Sequence, residues 1–250
     1  MISILIALAA AQAAAAPAPP PGSDEAQLRD CISVIEAAPE KAVAAANDWR
    51  IKGGGLPARQ CLGLAYVALG RWAPAATAFE QAAREAETMQ DSSRADFWAQ
   101  AGNAWLAGGD PIKARGAFDA ALATTLLTPE LRGEVHLDRA RAGAALGDNA
   151  GARADIDKGL ELVPADPFGW YLSSAMALRE EKLARAQSDI AQAMQLAPDD
   201  ADVLRQAGTV AGISGEVEAA RSFYERAAKA DPSSPSGQAA AAALASNGGK

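Results

Sequence analysis

Few residues in this 250-residue chain could carry out chemistry, and their spacing matches no common catalytic arrangement. The chain has two cysteines, Cys31 and Cys61, and a single histidine, His136. One histidine and two cysteines are too few for a structural zinc site, and the cysteines are too far apart in sequence for a Cys-x-x-Cys redox pair. The sequence therefore predicts no metal site and no catalytic residues.

Two other patterns resemble functional motifs without completing them. The run Gly53–Gly55 could cradle a phosphate, but no Lys-Ser or Lys-Thr follows it and no strand precedes it. Groups of carboxylates stand near residues 80–87 and 199–202, where predicted helix faces and helix starts favour acids for their solvation and for the helix dipole. We therefore expect no cofactor and no enzymatic activity.

The two cysteines could still form a disulfide bond. Breaks at Ala38-Pro39 and Gly53–Gly55 divide the amino-terminal part of the chain into three predicted helices. These lie at about 24–38, 40–52 and 57–69. In a series of antiparallel helices the first and third run parallel and adjacent, which places Cys31 and Cys61 at one height. We expect a disulfide here, with two buried free thiols as the alternative.

The composition favours helices throughout. Half of the residues are apolar, only 5% are aromatic, and no segment alternates apolar and polar residues for long enough to predict a strand. Alanine, leucine and the long charged side chains that dominate the chain are strong helix formers. The sequence therefore predicts an all-α protein.

A period of 34 residues organises the chain. Pro164, Pro198 and Pro232 stand 34 residues apart, and small and aromatic residues recur in phase ahead of them. Short side chains at fixed positions let two helices approach closely, while a large neighbour fills the remaining space. The first two units show the columns most clearly, at Leu62, Gly63, Tyr66, Gly70, Ala75, Phe79 and Ala82, and then at Trp98, Gly102, Trp105, Gly109, Ala114, Phe118 and Ala121.

These columns resemble those of the tetratricopeptide repeat, whose helix-turn-helix units recur about every 34 residues. The resemblance implies an all-α, right-handed superhelical solenoid of antiparallel helix pairs. An atypical helix pair at 24–55 would precede the repeats, and a cap and tail at 235–250 would follow them. Five repeats are predicted, at about 56–89, 95–128, 133–166, 167–200 and 201–234.

The amino end resembles a secretory signal. Residues 1–16 begin with an apolar stretch and continue into small residues that signal peptidase accepts, and residues 17–23 form a proline-rich spacer. We expect cleavage and a periplasmic or otherwise exported chain that is soluble afterwards, without stable membrane insertion. An uncleaved anchor is the alternative.

The charge of the chain narrows the classes of partner. A formal charge of −8 argues against binding to nucleic acid or to an anionic membrane, because both attract clustered lysine and arginine. A protein or peptide partner fits better. Self-association also fits, because the alanine-rich segment at 236–245 offers few charges at the end of the array.

By resemblance to the family, the first helix of each repeat lines a concave groove that binds a partner. The residues off the packing columns of these helices form two rows, which carry a mixture of leucine, tyrosine, asparagine and arginine. That mixture suits an extended peptide or a helix held by a few apolar anchors. The predicted groove residues are Gln60, Leu64, Asn103, Leu106, Leu137, Arg141, Tyr171, Leu178 and Arg205.

A carboxylate-binding clamp of the kind that recognises chaperone tails is not expected. The facing positions hold Gln100, Glu134 and Asp138, and the two acids would repel a terminal carboxylate. We therefore predict a non-catalytic scaffold for protein–protein interaction in the cell envelope. The alternatives are an envelope enzyme or carbohydrate-binding factor that uses Tyr171, Asp138 and Arg141, and a self-associating structural protein.

Overall fold

The computed structural model describes residues 20, 22–125 and 127–247. The predicted signal segment lies outside these residues. Within them, helices joined by short turns make up the secondary structure. The helices are α1 Asp24–Ala37, α2 Pro39–Ile51, α3 Gly55–Ala68, α4 Trp72–Met89, α5 Arg94–Ala107, α6 Pro111–Leu122, α7 Pro129–Ala145, α8 Asn149–Leu162, α9 Pro167–Arg179, α10 Leu183–Leu196, α11 Ala201–Ile213, α12 Val217–Ala230 and α13 Pro235–Asn247.

Local sequence explains where many of these helices begin. The side chains of Ser23, Asp110, Asp148 and Asp200 each accept a hydrogen bond from a backbone N–H in the first turn of the helix that follows. Prolines at residues 39, 111 and 167 open α2, α6 and α9, where the missing N–H leaves no intrahelical bond unmade.

The turn inside each repeated helix pair depends on a left-handed residue. Glycines at 70, 109, 147 and 215 have φ between 64° and 81° in four of the pairs. In the pair α9–α10 the same place holds Glu181, with φ 59°. A residue with a Cβ atom is strained in this conformation, whereas glycine is not.

The chain divides into two compact units between Thr128 and Pro129. The amino-terminal unit contains α1–α6, in which α3 pairs with α4 and α5 pairs with α6. The packing columns meet here: a Cβ atom on Gly63 would lie 2.5 Å from the ring of Phe79, and one on Gly102 would lie 2.5 Å from the ring of Phe118. Both rings are buried. The glycines therefore let the paired helices approach closely.

The atypical helices α1 and α2 are tied to this unit by packing and by a disulfide. Helix α1 contacts α2 and α3, and Cys31 of α1 is bonded to Cys61 of α3 with their Cα atoms 6.1 Å apart. Leu28, Val43 and Trp49 pack against the buried cluster that contains Cys61. The disulfide thus joins the first and third helices of this unit.

The carboxyl-terminal unit contains three helix pairs, α7–α8, α9–α10 and α11–α12, and α13 packs against α12 and α11. Its apolar core continues from pair to pair, and its large buried members include Leu137, Ile156, Ile190 and Leu204. The predicted fold class, an all-α solenoid of antiparallel helix pairs, agrees with this arrangement.

Polar side chains link the two helices of the pair α7–α8. His136 Nδ1 and Asp155 Oδ1 are 2.8 Å apart, and Arg139 donates to both oxygens of Asp155. Burial raises the pKa of Asp155, but the hydrogen bonds with His136 and Arg139 outweigh it and hold that pKa below its ordinary value. The histidine thus ties α7 to α8 as part of the packing.

Candidate partner-binding surface

The first helices of the three carboxyl-terminal pairs, α7, α9 and α11, lie side by side. Their side chains off the core are joined into one chain of contacts that crosses all three helices. We call this set the first-helix surface. It consists of Asp138, Arg141, Phe168, Tyr171 and Arg205.

Aromatic rings form the middle of this surface. Phe168 and Tyr171 stand one turn apart on α9, and their rings stack with centroids 6.0 Å apart and planes at 17°. The Arg141 guanidinium of α7 lies 5.5 Å from the centre of the Phe168 ring and 2.9 Å from Asp138 Oδ1. A cation over a ring face and a one-turn ion pair together hold Arg141 in place.

The contacts continue from α9 to α11 and on to α13. Arg205 Nη2 donates to the Tyr171 hydroxyl at 3.3 Å, and Arg205 Nε donates to Ser236 Oγ at 3.0 Å. Ser236 in turn donates to Asp202. The half-buried Tyr171 also packs against the core cluster around Ile190. Its ring is therefore held by the core below it and by the contacts with Phe168 and Arg205 at the surface.

A pocket of about 270 Å³ opens beside these residues between α7 and α9. Ala140, Ala144, Leu172 and Met176 contribute its apolar walls, and Arg141, Tyr171 and Arg179 contribute its polar groups. A small pocket with apolar walls and a few polar groups suits one anchoring side chain of a partner.

Acidic side chains gather at one end of this surface, and arginines lie away from that end. Near the starts of α7 and α9, burial raises the pKa of Glu134, and the nearby Asp166, Asp138 and Glu130 raise it further. Burial also raises the pKa of Asp166, and Asp138 adds to the effect, although Asp166 accepts a hydrogen bond from the Phe168 N–H. This end of the surface is therefore crowded with acids.

Arginines dominate away from that end. Arg179 donates to the Ala144 carbonyl oxygen, and Arg205 bonds to the hydroxyls of Tyr171 and Ser236. In the part of the chain that the structure describes, neither guanidinium has a carboxylate oxygen within 4.0 Å. Both can therefore pair with an acidic group from outside.

The predicted groove residues are divided between the two units. Gln60, Leu64, Asn103 and Leu106 lie half-buried on α3 and α5 in the amino-terminal unit. In the carboxyl-terminal unit, Arg141, Tyr171 and Arg205 come together as described above. Leu178 on α9 packs against the core cluster around Ile190, with only part of its side chain exposed.

Leu137 is different. It is 1% exposed, and its side chain fills the space beside Gly159 and Gly169. The prediction that it lines an exposed surface is wrong, because two glycines on neighbouring helices leave room that a large side chain occupies.

The sequence does not predict three residues that lie on or beside this surface. Phe168, Asp166 and Arg179 stand outside the two predicted rows, since each row takes one position from every repeat, that of Gln60 or that of Leu64. The signal for Phe168 was its place one helical turn before Tyr171, which puts both rings on one face of α9.

Over the described residues, no group of three or more potential ligands could hold a metal ion. Over the same residues, no helix is both long and apolar enough to cross a membrane.

The helix pairs, their glycine turns and their packing columns define a helical-repeat protein. Comparison with solved structures identifies the kind of repeat. Pseudomonas aeruginosa PilF matches with a TM-score of 0.67 and 17% identity, over 88% of this chain and 97% of that chain. PilW, a type IV pilus biogenesis factor, matches with a TM-score of 0.68 and 20% identity, over 86% of this chain and 97% of that chain.

Two further matches extend the comparison. A tetratricopeptide-repeat protein of Thermus thermophilus matches with a TM-score of 0.61 and 18% identity, over 77% of this chain and 98% of that chain. The Cut9–Hcn1 structure matches with a TM-score of 0.71 and 14% identity, but over only 44% of that chain. The chain therefore has the tetratricopeptide-repeat fold, as the columns of the sequence predict. No protein-family model and no curated protein sequence matches it.

Proposed function

We propose that this protein is a non-catalytic scaffold that binds a segment of a partner protein on the first-helix surface. The observation that carries the proposal is the connected series Arg141–Phe168–Tyr171–Arg205, which crosses three helices beside a pocket of about 270 Å³. Rings and guanidinium groups held in fixed positions lose little conformational entropy on binding, and such residues dominate the binding energy of protein interfaces.

The partner segment that fits is an extended peptide or a helix. One apolar side chain would enter the pocket between α7 and α9, and an acidic group would pair with Arg179 or Arg205. The acids near Glu134 would repel a carboxylate at the other end and so fix the direction of the segment. Gln60, Leu64, Asn103 and Leu106 offer a similar mixture of side chains in the amino-terminal unit.

A pair of variants tests this proposal. Ala175 lines the pocket and is half-buried, so Ala175→Trp should fill it, whereas Ala184→Trp adds the same side chain at an exposed position of α10. Both proteins would be expressed in the native host, crosslinked, and analysed by mass spectrometry. Partners crosslinked to the wild type should be lost from Ala175→Trp and kept by Ala184→Trp. Equal recovery from both variants would contradict the proposal.

We further propose that the scaffold works in the cell envelope. The support is the signal-like sequence at residues 1–16, the paired cysteines, and the similarity in fold to a pilus biogenesis factor. Fractionation of the host and amino-terminal sequencing of the recovered protein test this step. A mature chain that begins near Ala16 in the periplasmic fraction is expected, and an intact Met1 in the cytosol would contradict it.

A further inference from the structure

A second pocket lies in the carboxyl-terminal unit, on the side of α11 that faces α10 and α12. Its volume is about 490 Å³, larger than that of the pocket on the first-helix surface. Most of its lining is apolar, from Ile190, Met194, Val210, Ala211 and Phe223. The charged residue in the lining is Glu216. We call it the α10–α12 pocket.

The amino-terminal unit contains an equivalent place, between α4 and α6 over α5. Helices α5 and α11 correspond at an offset of 106 residues: Gly102 faces the ring of Phe118 as Gly208 faces the ring of Tyr224. The glycines that turn the chain, at 109 and 215, keep the same offset and both have positive φ. The two helix pairs can therefore be compared residue by residue.

In the amino-terminal unit this place is filled. The Trp105 indole is 8% exposed, and its Nε1 donates to Glu80 Oε1 at 2.7 Å across to α4. Lys113 of α6 places its Nζ 4.1 Å from the centre of the indole ring and 3.0 Å from the Asp110 carboxylate. An indole and an ammonium group thus occupy the cleft together, each with a carboxylate partner.

In the carboxyl-terminal unit both filling groups are missing, but the acid remains. The offset of 106 puts Ala211 at the place of Trp105 and Ala219 at the place of Lys113. It puts Glu216 at the place of Asp110, directly before the helix in both pairs. In the described part of the chain, no lysine, arginine or histidine nitrogen lies within 4.0 Å of the Glu216 carboxylate.

The walls of the α10–α12 pocket are also more apolar than those of the filled cleft. Phe223 stands where the filled cleft has Ala117, so an aromatic ring borders the space that the alanines leave open. Gln187, Gln195 and Ser214 add hydrogen-bonding groups to the lining. A ligand with an aromatic ring, a hydrogen-bond donor and a neighbouring positive charge would match every part of this site.

We propose that the α10–α12 pocket binds a tryptophan side chain of a partner protein that carries a lysine or arginine next to it. The indole enters between α10 and α12, and the cation pairs with Glu216. We infer a positive charge on the partner because the Glu216 carboxylate lines the pocket. We infer a tryptophan side chain because the Trp105 indole fills the equivalent cleft of the amino-terminal unit. The site is separate from the first-helix surface, so this proposal holds whether or not that surface binds a partner.

The test uses the full-length protein and three blocked dipeptides, followed through the backbone amide chemical shifts. The probes are N-acetyl-Lys-Trp-amide, N-acetyl-Glu-Trp-amide and N-acetyl-Lys-Ala-amide. Lys-Trp should shift the amides of residues around the pocket, such as Val210 and Phe223. Replacing lysine by glutamate turns one exposed attraction into a repulsion and should weaken binding about threefold to tenfold. Lys-Ala should not bind there.

Two variants separate this site from nonspecific binding. Ala211→Trp restores the internal filler and should abolish binding of Lys-Trp. Glu216→Lys should reverse the preference, so that Glu-Trp binds better than Lys-Trp, while the matched control Glu218→Lys, at an exposed position two residues along α12, should keep the original order. If circular dichroism shows that Ala211→Trp is unfolded, the change of preference expected for Glu216→Lys is sufficient to test the proposal.

Three results would overturn the proposal. They are shifts confined to residues outside α10–α12, an unchanged preference in Glu216→Lys, and concentration-dependent self-association that shifts the same amides without peptide. The last result would assign the pocket to a second copy of the chain.

Discussion

Glu181 shows how one residue departs from the rule that the rest of the chain follows. It takes a left-handed conformation, with φ 59°, in the turn where four other helix pairs have glycine. A residue with a Cβ atom in the left-handed conformation costs about 1–2 kcal/mol of folding free energy. Replacing it with glycine removes this cost, but the greater conformational freedom of glycine in the unfolded chain offsets part of the gain in stability. Its neighbour Glu180 pairs with Arg153 and Lys182, so the helix end is held by charges as well.

We therefore expect Glu181→Gly to raise the free energy of unfolding by about 0.5–1 kcal/mol. Urea denaturation followed by circular dichroism measures this change. The control is Ala154→Gly at an exposed position in the middle of α8, which should lower stability by about 1 kcal/mol because glycine is a poor helix former. Destabilisation by both variants would show that Glu181 makes a contact that outweighs its strain.

The acids near the start of α7 make a second prediction at the scale of the residue. Burial raises the pKa of Glu134 above its ordinary value of 4.5, and Asp166, Asp138 and Glu130 raise it further. The folded state then binds this proton more tightly than the unfolded state does, so the ionised carboxylate destabilises the fold, and stability falls as the pH rises through this pKa.

Glu134→Gln should therefore stabilise the protein at pH 7 and lose this advantage below about pH 4, where both states carry the proton. Chemical denaturation at the two pH values tests it. Glu218→Gln removes an exposed acid from the first turn of α12, where the helix dipole favours it, and should not stabilise at pH 7. A gain for Glu134→Gln that is equal at both pH values would rule out the proposed cause.

At the scale of the element, the small columns of the repeat control how closely paired helices approach. Gly102 on α5 and Gly116 on α6 belong to the same helix pair, but a Cβ atom on Gly102 would lie 2.5 Å from the ring of Phe118, whereas nothing lies within 4 Å of one on Gly116. The two glycines thus differ in packing while both lie inside helices.

We expect Gly102→Leu to destabilise the protein by about 1–3 kcal/mol through overpacking. Gly116→Leu should leave stability unchanged or raise it by about 0.5–1 kcal/mol, because leucine favours the helix. Thermal and urea unfolding of both variants measure the difference. If the two substitutions have equal effects, the small column has no role in helix packing.

How far the sequence predicts an element depends on whether neighbouring repeats share its surroundings. The contacts of Gly63 with Phe79 and Gly102 with Phe118 repeat in phase, so the columns alone indicate them. Leu137 has the right offset for an exposed row, yet Gly159 and Gly169 draw it into the core. The repeat columns do not indicate this burial, because Gly159 and Gly169 are not part of any column that recurs along the chain.

The site was predicted less completely than the fold for the same reason. Arg141, Tyr171 and Arg205 follow from their offsets within the repeats. Their partners Phe168 and Ser236 do not, since ring stacking and the hydrogen bond to α13 depend on side-chain directions at the ends of helices. The α10–α12 pocket is a difference between repeats, and it becomes visible only when two clefts are compared in three dimensions.

At the scale of the whole molecule, helix α1 depends on a single covalent link. Among its residues only Ala26 is buried, and Ile32 and Val34 are more than a third exposed. Packing alone therefore holds α1 weakly. The disulfide from Cys31 to Cys61 closes a loop with a sequence separation of 30 residues. In the chain-entropy estimate, closing such a loop stabilises the folded state by about 3–4 kcal/mol.

Removing both cysteines with Cys31→Ala and Cys61→Ala should lower the free energy of unfolding by about 3–4 kcal/mol, and reduction of the wild type should have a similar effect. Hydrogen exchange should rise first in α1, while α11 of the other unit keeps its protection, because the bond acts on α1–α3 alone. Two free thiols in the protein recovered from its native compartment, or equal loss of protection in α1 and α11, would contradict this account of the amino-terminal unit.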